Sequence, residues 1–427
     1  MRLTGAALAA ALALAACGRP APVVEAAASP AAAFPESADP VLASDPGTGA
    51  LLASFVARGA DSSWQLYFAR SADSGRSWTT PVAVTAQAGE VKPHAEASAR
   101  LVAAPGGKVA LIWAQDFMVE GRKWPASRMR FSRSLDGGAT WSAAITLNDD
   151  TTAADAPRGH TFHGATWTGD SGLVVAWLDE RRGGSTTHDH TAMDHGSTEG
   201  DATIFAVRSA DFGTTWSANQ PLWGATCPCC RVTLARAPDG TTRAAWRRHF
   251  PGDVRDVVTA ALPDSLTGSE EPAKVQDDGW VYPGCPHSGP ALAIGPGGVQ
   301  HVAWFTGKAG EAGVFLARSA PGTAAVAVPL VTDSTLPASH AAVVALPDNG
   351  SLAAWDIAPG GSRRLSVAVV PPAARSVSPV AVPSSDGATH PQLPPPIAVG
   401  PGEALLAYTA LEGTATRIST RRLRLPN

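Results

Sequence analysis

Ser71-Ala72-Asp73-Ser74-Gly75-Arg76-Ser77-Trp78, Ser134-Leu135-Asp136-Gly137-Gly138-Ala139-Thr140-Trp141 and Ser209-Ala210-Asp211-Phe212-Gly213-Thr214-Thr215-Trp216 repeat one pattern, each after an Arg and an alternating apolar run. The pattern predicts a tight turn closing a hairpin. Asp accepts the turn amide hydrogens, Gly supplies positive φ, the hydroxyl residue caps, and Trp folds back over the turn. Asp73, Asp136 and Asp211 are thus structural residues. Working outward, a strand-like run ending in an aromatic recurs at Phe55, Trp113, Trp177, Trp246, Trp304, Trp355 and Tyr408, mostly after a Pro/Gly/Asp turn. The spacing is roughly 50 to 70 residues, above the ~40 to 50 of familiar four-stranded repeats, so loops of some length are expected. The chain reads as all-β and repetitive.

The three turn motifs resemble the Asp-boxes, or BNR repeats, of the sialidase-like β-propellers. That resemblance implies a β-propeller of four-stranded blades over residues 34–427. Seven aromatic-ended runs imply a seven-bladed ring; sialidases proper have six blades, so a six-bladed ring with one aberrant repeat is the alternative. The last repeat lacks a clear fourth strand, which Pro22-Val23-Val24-Glu25 could supply, closing the ring between the termini.

Composition agrees with a large core broken by frequent turns. Of 427 residues, 44% are hydrophobic and 16% charged, with 42 Gly and 36 Pro, which excludes coiled coils and disordered tails. The net charge of -4, with no basic run interleaved with aromatics, argues against a nucleic-acid partner. Met1-Arg2 and the short apolar run Ala6 to Ala16 precede Leu14-Ala15-Ala16-Cys17, which resembles a bacterial lipoprotein lipobox. The resemblance implies a signal peptide over 1–17, lipidation of Cys17 and, with Gly18 beside it, sorting to the outer membrane facing the periplasm. An ordinary secretory signal is the alternative. Residues 18–33 are Ala/Pro-rich and suit a tether, so contact with the membrane is expected through the lipid only.

In a propeller the loops that enter each inner strand, and those joining second to third strands, share one face. His94, His160, His163, His287, His340 and His390 map to the former, and His188, His190, His195 and His249 to the latter; His301 alone falls at the start of a second strand. Cys227-Pro228-Cys229-Cys230 and Gly284-Cys285-Pro286-His287 enter two consecutive blades on that face. Two readings stay open for Cys227, Cys229, Cys230 and Cys285. In an oxidising compartment disulfides are the default, with Cys229 or Cys230 reaching Cys285; the other is a soft thiolate site for Cu(I) or Zn. The loop with His188, His190, Met193 and His195 resembles the His/Met-rich segments of periplasmic copper-handling proteins, against the plainer reading of a polar solvent loop. The expected metal set is therefore His188, His190, Met193, His195, His160, His163, His287, His340 and His390, with copper or zinc as the ion.

The sialidase resemblance also implies a catalytic set: an Arg clamp for a carboxylate, a Tyr nucleophile with a Glu, and an Asp acid/base. The Arg-Ile-Pro motif is absent, and Arg231 could replace its arginine only loosely. Arg247, Arg248 and Arg255 fall on the site face, with Tyr282 as the available Tyr. Asp179-Glu180 read as solvated partners of Arg181 and Arg182, and Arg255-Asp256 as a pair across the blade. The stretch from Cys227 to Pro286 is also similar to exported bacterial sialidase-like proteins that share CxCC, Arg-Asp and GCP elements. The sequence favours a binding protein for a small-molecule, glycan or metal ligand over an enzyme. The alternative is an exo-sialidase-like glycoside hydrolase using Tyr282, Arg247, Arg255 and Asp256.

Overall fold

The computed structural model describes residues 22–84, 87, 89–120, 125–150, 158–169, 171–182, 202–267, 270–333, 335, 338–358, 363–382, 397–400 and 402–425. Strand β1 (Val23–Ala26) opens the chain. Four strands in sequence then form the first sheet: β2 (Ser37–Ser44), β3 (Leu51–Arg58), β4 (Trp64–Ser71) and β5 (Val82–Ala83). The second holds β6 (Arg100–Ala104), β7 (Lys108–Phe117), β8 (Ala126–Ser134) and β9 (Ile145–Thr146). An eight-stranded sheet follows. Its first half is β10 (His160–Thr168), β11 (Gly172–Asp179), β12 (Ala202–Ser209) and β13 (Gln220–Thr226); its second is β14 (Thr233–Arg236), β15 (Thr242–Phe250), β16 (Val254–Leu262) and β17 (Ala273–Lys274). A single residue pair, Thr226 with Arg248, joins the halves. Next come β18 (Ala291–Ile294), β19 (Gln300–Thr306), β20 (Gly313–Ser319) and β21 (Val326–Val331), then β22 (Ala338–Ala345), β23 (Ser351–Ile357), β24 (Arg364–Val370) and β25 (Val380–Ala381). The last sheet takes β26 (Ile397–Gly400), β27 (Glu403–Glu412), β28 (Ala415–Arg424) and, on its outer edge, β1.

The first strands of successive groups lie side by side: β2 with β6, β6 with β10, β10 with β14, β14 with β18, β18 with β22, β22 with β26, and β26 with β2. The aromatic repeat falls on the second strand of every group, and Phe55, Trp113, Trp177, Trp246, Trp304, Trp355 and Tyr408 are all sealed from solvent. These strands are covered on both faces by neighbouring sheets, so they read as continuous apolar runs rather than alternating ones; every residue of β11 is buried. Truncating such a ring to Ala costs about 3–5 kcal/mol.

The three repeated turns close the hairpins that lead out of β4, β8 and β12. Asp136 accepts from Ser134 Oγ at 2.6 Å, Thr140 N at 2.9 Å and Thr140 Oγ1 at 2.6 Å, and Asp73 and Asp211 do the same with their own neighbours. Gly138 (φ 93) and Gly213 (φ 86) need glycine twice over: a Cβ would lie 1.9 Å from Phe68 and 2.2 Å from Phe131 of the preceding sheet. The turns therefore pin each sheet to the one before it.

Val23–Ala26 pairs antiparallel with Leu423 and its neighbours, Val23 opposite Arg424 and Ala26 opposite Arg421. The early strand thus completes the last sheet. This corrects the tether expected over residues 18–33. From Pro22 onward the segment is folded, with Ser29 Oγ donating to Ile418 O and Ala31 buried beneath Phe55 and Tyr67.

Candidate metal centre

Cys227, Cys229 and Cys230 occupy the connection from β13 to β14, and Cys285 and His287 the connection from β17 to β18. Both loops carry prolines that fix φ locally. Cys227 Sγ stands 3.2 Å from Cys230 Sγ and 3.8 Å from Cys229 Sγ, separations of thiol hydrogen bonds rather than of a covalent bond. Cys229, the Cys285 sulfur and a His287 ring nitrogen lie within 4.8 Å of one another, as do the three sulfurs of the first loop. Three of the sulfurs are buried and Cys285 is half-buried. Burial opposes a thiolate at Cys227. Hydrogen bonds from Cys229 and Cys230 and the charges of Arg255 and Arg247 nevertheless hold its pKa well below the usual thiol value. Burial, with donation to Cys227, pushes Cys229 and Cys230 well above it.

Two residues hold both loops at once. Glu96, in the short turn Ala95–Ala97 before β6, accepts from Arg231 Nη1 at 2.6 Å, next to Cys230, and from Gly289 N at 3.1 Å, two residues past His287. A Cβ on Gly289 would lie 2.6 Å from Arg231 Cγ, so only glycine lets the loops close on each other. Arg247, on β15, accepts the Cys227 amide on its carbonyl at 3.1 Å. Its guanidinium donates to Ser288 O at 3.0 Å, Arg255 O at 2.6 Å and Phe305 O at 2.7 Å. His287 itself sits at φ 47, a left-handed conformation uncommon for histidine, which these contacts sustain. Glu96 went unnoticed in the sequence because no spacing links it to partners 135 and 193 positions away.

The other histidines expected as ligands are engaged elsewhere. His163 is buried with Nε2 on Ile112 O at 2.9 Å, and burial lowers its pKa to about 3. His160 donates Nδ1 to Ser127 O at 2.7 Å and sets Nε2 3.0 Å from Asp150. Burial works against its charge, yet the Asp150 hydrogen bond and the Asp179 and Asp150 charges raise its pKa overall. Asp150, His160 and Asp179 do converge, but Arg181 already places its guanidinium 2.9 Å from Asp179 and 3.3 Å from Asp150. His340 bridges Asp356 at 3.2 Å and the His287 carbonyl at 3.2 Å, so it supports the centre from behind. The reason is local: a bulge between Thr161 and Gly164, and another between Ser339 and Ala341, turns these rings into the interior. Cys17, His188, His190, Met193, His195 and His390 lie outside the described residues.

The residues named for hydrolysis form a frame. Arg247 is sealed from solvent and committed to main-chain carbonyls. Asp256 takes Lys274 Nζ at 2.7 Å as its ion-pair partner, in place of the expected Arg255, and also accepts from Gly279 N and Trp280 N. Arg255 is buried and donates to Tyr282 O at 3.3 Å. Tyr282 is exposed and stacked on Trp280, and among the described residues no hydrogen bond reaches its hydroxyl. Arg231, the loose substitute for the clamp, pairs with Glu96 instead. Asp179 pairs with Arg181 as expected, though in the interior rather than in solvent.

No protein-family model and no curated protein matches the sequence. Among solved structures, a protein of unknown function from Dyadobacter fermentans is similar at 14% identity and TM-score 0.53, covering 96% of this chain and 99% of that one. An ulvan lyase from a polysaccharide lyase family is similar at 11% identity and TM-score 0.57, covering 91% and 94%. The intramolecular trans-sialidase of Ruminococcus gnavus, solved with oseltamivir carboxylate, aligns at 12% identity and TM-score 0.49 over 77% and 91%. The first two likenesses are likenesses of fold alone.

Proposed function

We propose that this chain is an exported, lipid-anchored bacterial envelope protein, a seven-bladed sialidase-like propeller that binds a thiophilic metal ion through Cys227, Cys229, Cys230, Cys285 and His287. The observation that carries the reading is the convergence of four sulfurs and one imidazole from two loops more than fifty residues apart. Thiolate with imidazole selects copper or zinc over magnesium or calcium, whose ligands are oxygen. The unbroken neighbour relations of the first strands, returning from β26 to β2, support seven blades. The loop with His188, His190, Met193 and His195 is proposed as a capture arm that delivers the ion.

Glycoside hydrolysis is not the reading adopted, because a clamp arginine must have free donors and Arg247 has spent them on carbonyls. The proposal is tested by calorimetric titration of the reduced protein with zinc and with Cu(I), against a variant in which all four mature cysteines are Ser. Binding tighter than ~100 μM, about 5.5 kcal/mol, is expected of the native chain only. Equal binding by the variant sinks the cysteine site. Anchoring is tested separately, since Cys17→Ser should move the protein out of the membrane fraction, and its retention there would refute lipidation.

A further inference from the structure

We infer that the centre is dinuclear: one Cu(I) ion is held by the sulfurs of Cys227, Cys229 and Cys230, a second by the sulfurs of Cys229 and Cys285 with a His287 ring nitrogen, and Cys229 bridges the two. This rests on the metal reading above and extends it to the number and kind of ion. The geometry is the first ground. The five donors do not fall into one shell; they resolve into two triads, each with all ligand atoms within 4.8 Å, and Cys229 belongs to both. Three ligands around an ion at a metal–sulfur distance of roughly 2.3 Å stand about 4 Å apart; Cys227 Sγ and Cys229 Sγ at 3.8 Å already match, and Cys230 Sγ, 3.2 Å from Cys227 Sγ, would move outward by under about 1 Å on binding.

Coordination number is the second ground. Structural zinc takes four protein ligands, and each triad offers three; soft sulfur-rich sets with fewer ligands suit Cu(I). Charge is the third. Four thiolates with two monovalent ions retain excess negative charge, and two buried arginines belong to the frame of the site and offset it: Arg247, whose carbonyl takes the Cys227 amide, and Arg255, whose carbonyl takes the Arg247 guanidinium. Two divalent ions would neutralise the four thiolates by themselves and leave the two guanidinium charges in excess in a buried site. Binding is a ligand exchange: each thiol that coordinates gives its proton to solvent, and because the ion enters as Cu(I) no electron moves.

The frame explains how the second triad stays in place without the first. Glu96 and Arg247 each tie the Cys285 loop to the Cys227 loop through Gly289 and Ser288, contacts that do not pass through sulfur. The two ions are therefore separable by mutation. The full-length chain, reduced and kept anaerobic, is titrated with Cu(I) against a chromophoric Cu(I) chelator. A variant lacking residues 187–196 is titrated in parallel, to remove the His/Met loop from the count. Two ions per chain should be withheld from the chelator by both proteins. Cys285→Ser and His287→Ala should each withhold one, and Cys229→Ser none, with thermal unfolding confirming that each variant folds. X-ray absorption should show a copper–copper shell in the native chain that is missing in His287→Ala. A native count of one without that shell, or a count of two that survives both Cys285→Ser and His287→Ala, overturns the dinuclear assignment and leaves the metal reading standing. A count of zero in the loop-deleted chain overturns both.

Discussion

Glu96 Oε1 and Arg231 Nη1 lie 2.6 Å apart with both side chains almost wholly withdrawn from solvent, and the other Glu96 oxygen holds the Gly289 amide. An ion pair so placed costs desolvation to make, and breaking it from one side strands a buried charge. Glu96→Ala should therefore lower stability by about 3–5 kcal/mol in urea unfolding and release bound metal. A change under about 1 kcal/mol would show that the pair does not frame the cysteine loops.

Arg247→Met gives a second test of the same frame. It removes the donors to three main-chain carbonyls while keeping much of the volume, and each carbonyl left unmet costs about 1–3 kcal/mol. The variant should unfold at markedly lower urea. The native protein should release no sialic acid from model glycosides. Turnover abolished by Tyr282→Phe and by a stable Arg247→Met would reinstate the hydrolase.

Gly138→Ala and Gly49→Ala separate the turn from its packing. Both glycines have positive φ, 93 and 70, but only Gly138 faces Phe68, whereas a Cβ at Gly49 meets nothing within 4 Å. Gly49→Ala should cost about 1 kcal/mol, the ordinary left-handed penalty. Gly138→Ala should cost at least about 2 kcal/mol more, since Phe68 must move out of a filled core. Equal losses in chemical unfolding would mean that the turn does not pin the sheets.

His163 sets a pH dependence. Its folded pKa is depressed to about 3 by burial against the usual 6.5, so the unfolded chain takes the proton first. The stability it contributes is complete above pH 6.5 and is lost as pH falls from there toward 3, with a slope of about 1.4 kcal/mol per pH unit for one proton. His301, lowered by burial to about 4, adds to the same window. His163→Phe should flatten the fall of urea midpoint with acid, and an unchanged slope would refute the assignment.

The fold was legible wherever one residue type had one physical use. The seven aromatic positions must be apolar because a second strand is covered on both faces, and the three Asp turns carry their hydrogen-bond partners within a few residues. Cys227, Cys229, Cys230, Cys285 and His287 were legible as a pair of loops entering neighbouring strands. The partners that aim them were hidden, since Glu96 reaches Arg231 and Gly289 over 135 and 193 positions, and Arg247 lies inside an apolar strand where its side-chain direction leaves no local mark. His160, His163 and His340 lie at the expected strand ends, but the partners they take, Asp150, Ile112 O and Asp356, were hidden, because a bulge that redirects a ring leaves no mark in alternation. Pro22 to Glu25 was legible as a completing strand, but the alanines from Ala26 to Ala33 read as tether for a related reason: they are small enough to pack, and composition alone does not separate that from flexibility.

The metal content of the native protein is the most direct test of the cysteine centre. Purified from its native host without added chelator, and measured by elemental analysis together with a thiol count before and after metal removal, the chain should carry copper. Cys227, Cys229, Cys230 and Cys285 should be masked while the metal is present and titratable as thiols once it is stripped, and Cys229→Ser should carry none at the centre. Protein that arrives metal-free, takes up neither copper nor zinc, and shows no reducible thiols until a disulfide reductant is added would contradict the metal reading and make the cysteines a structural staple.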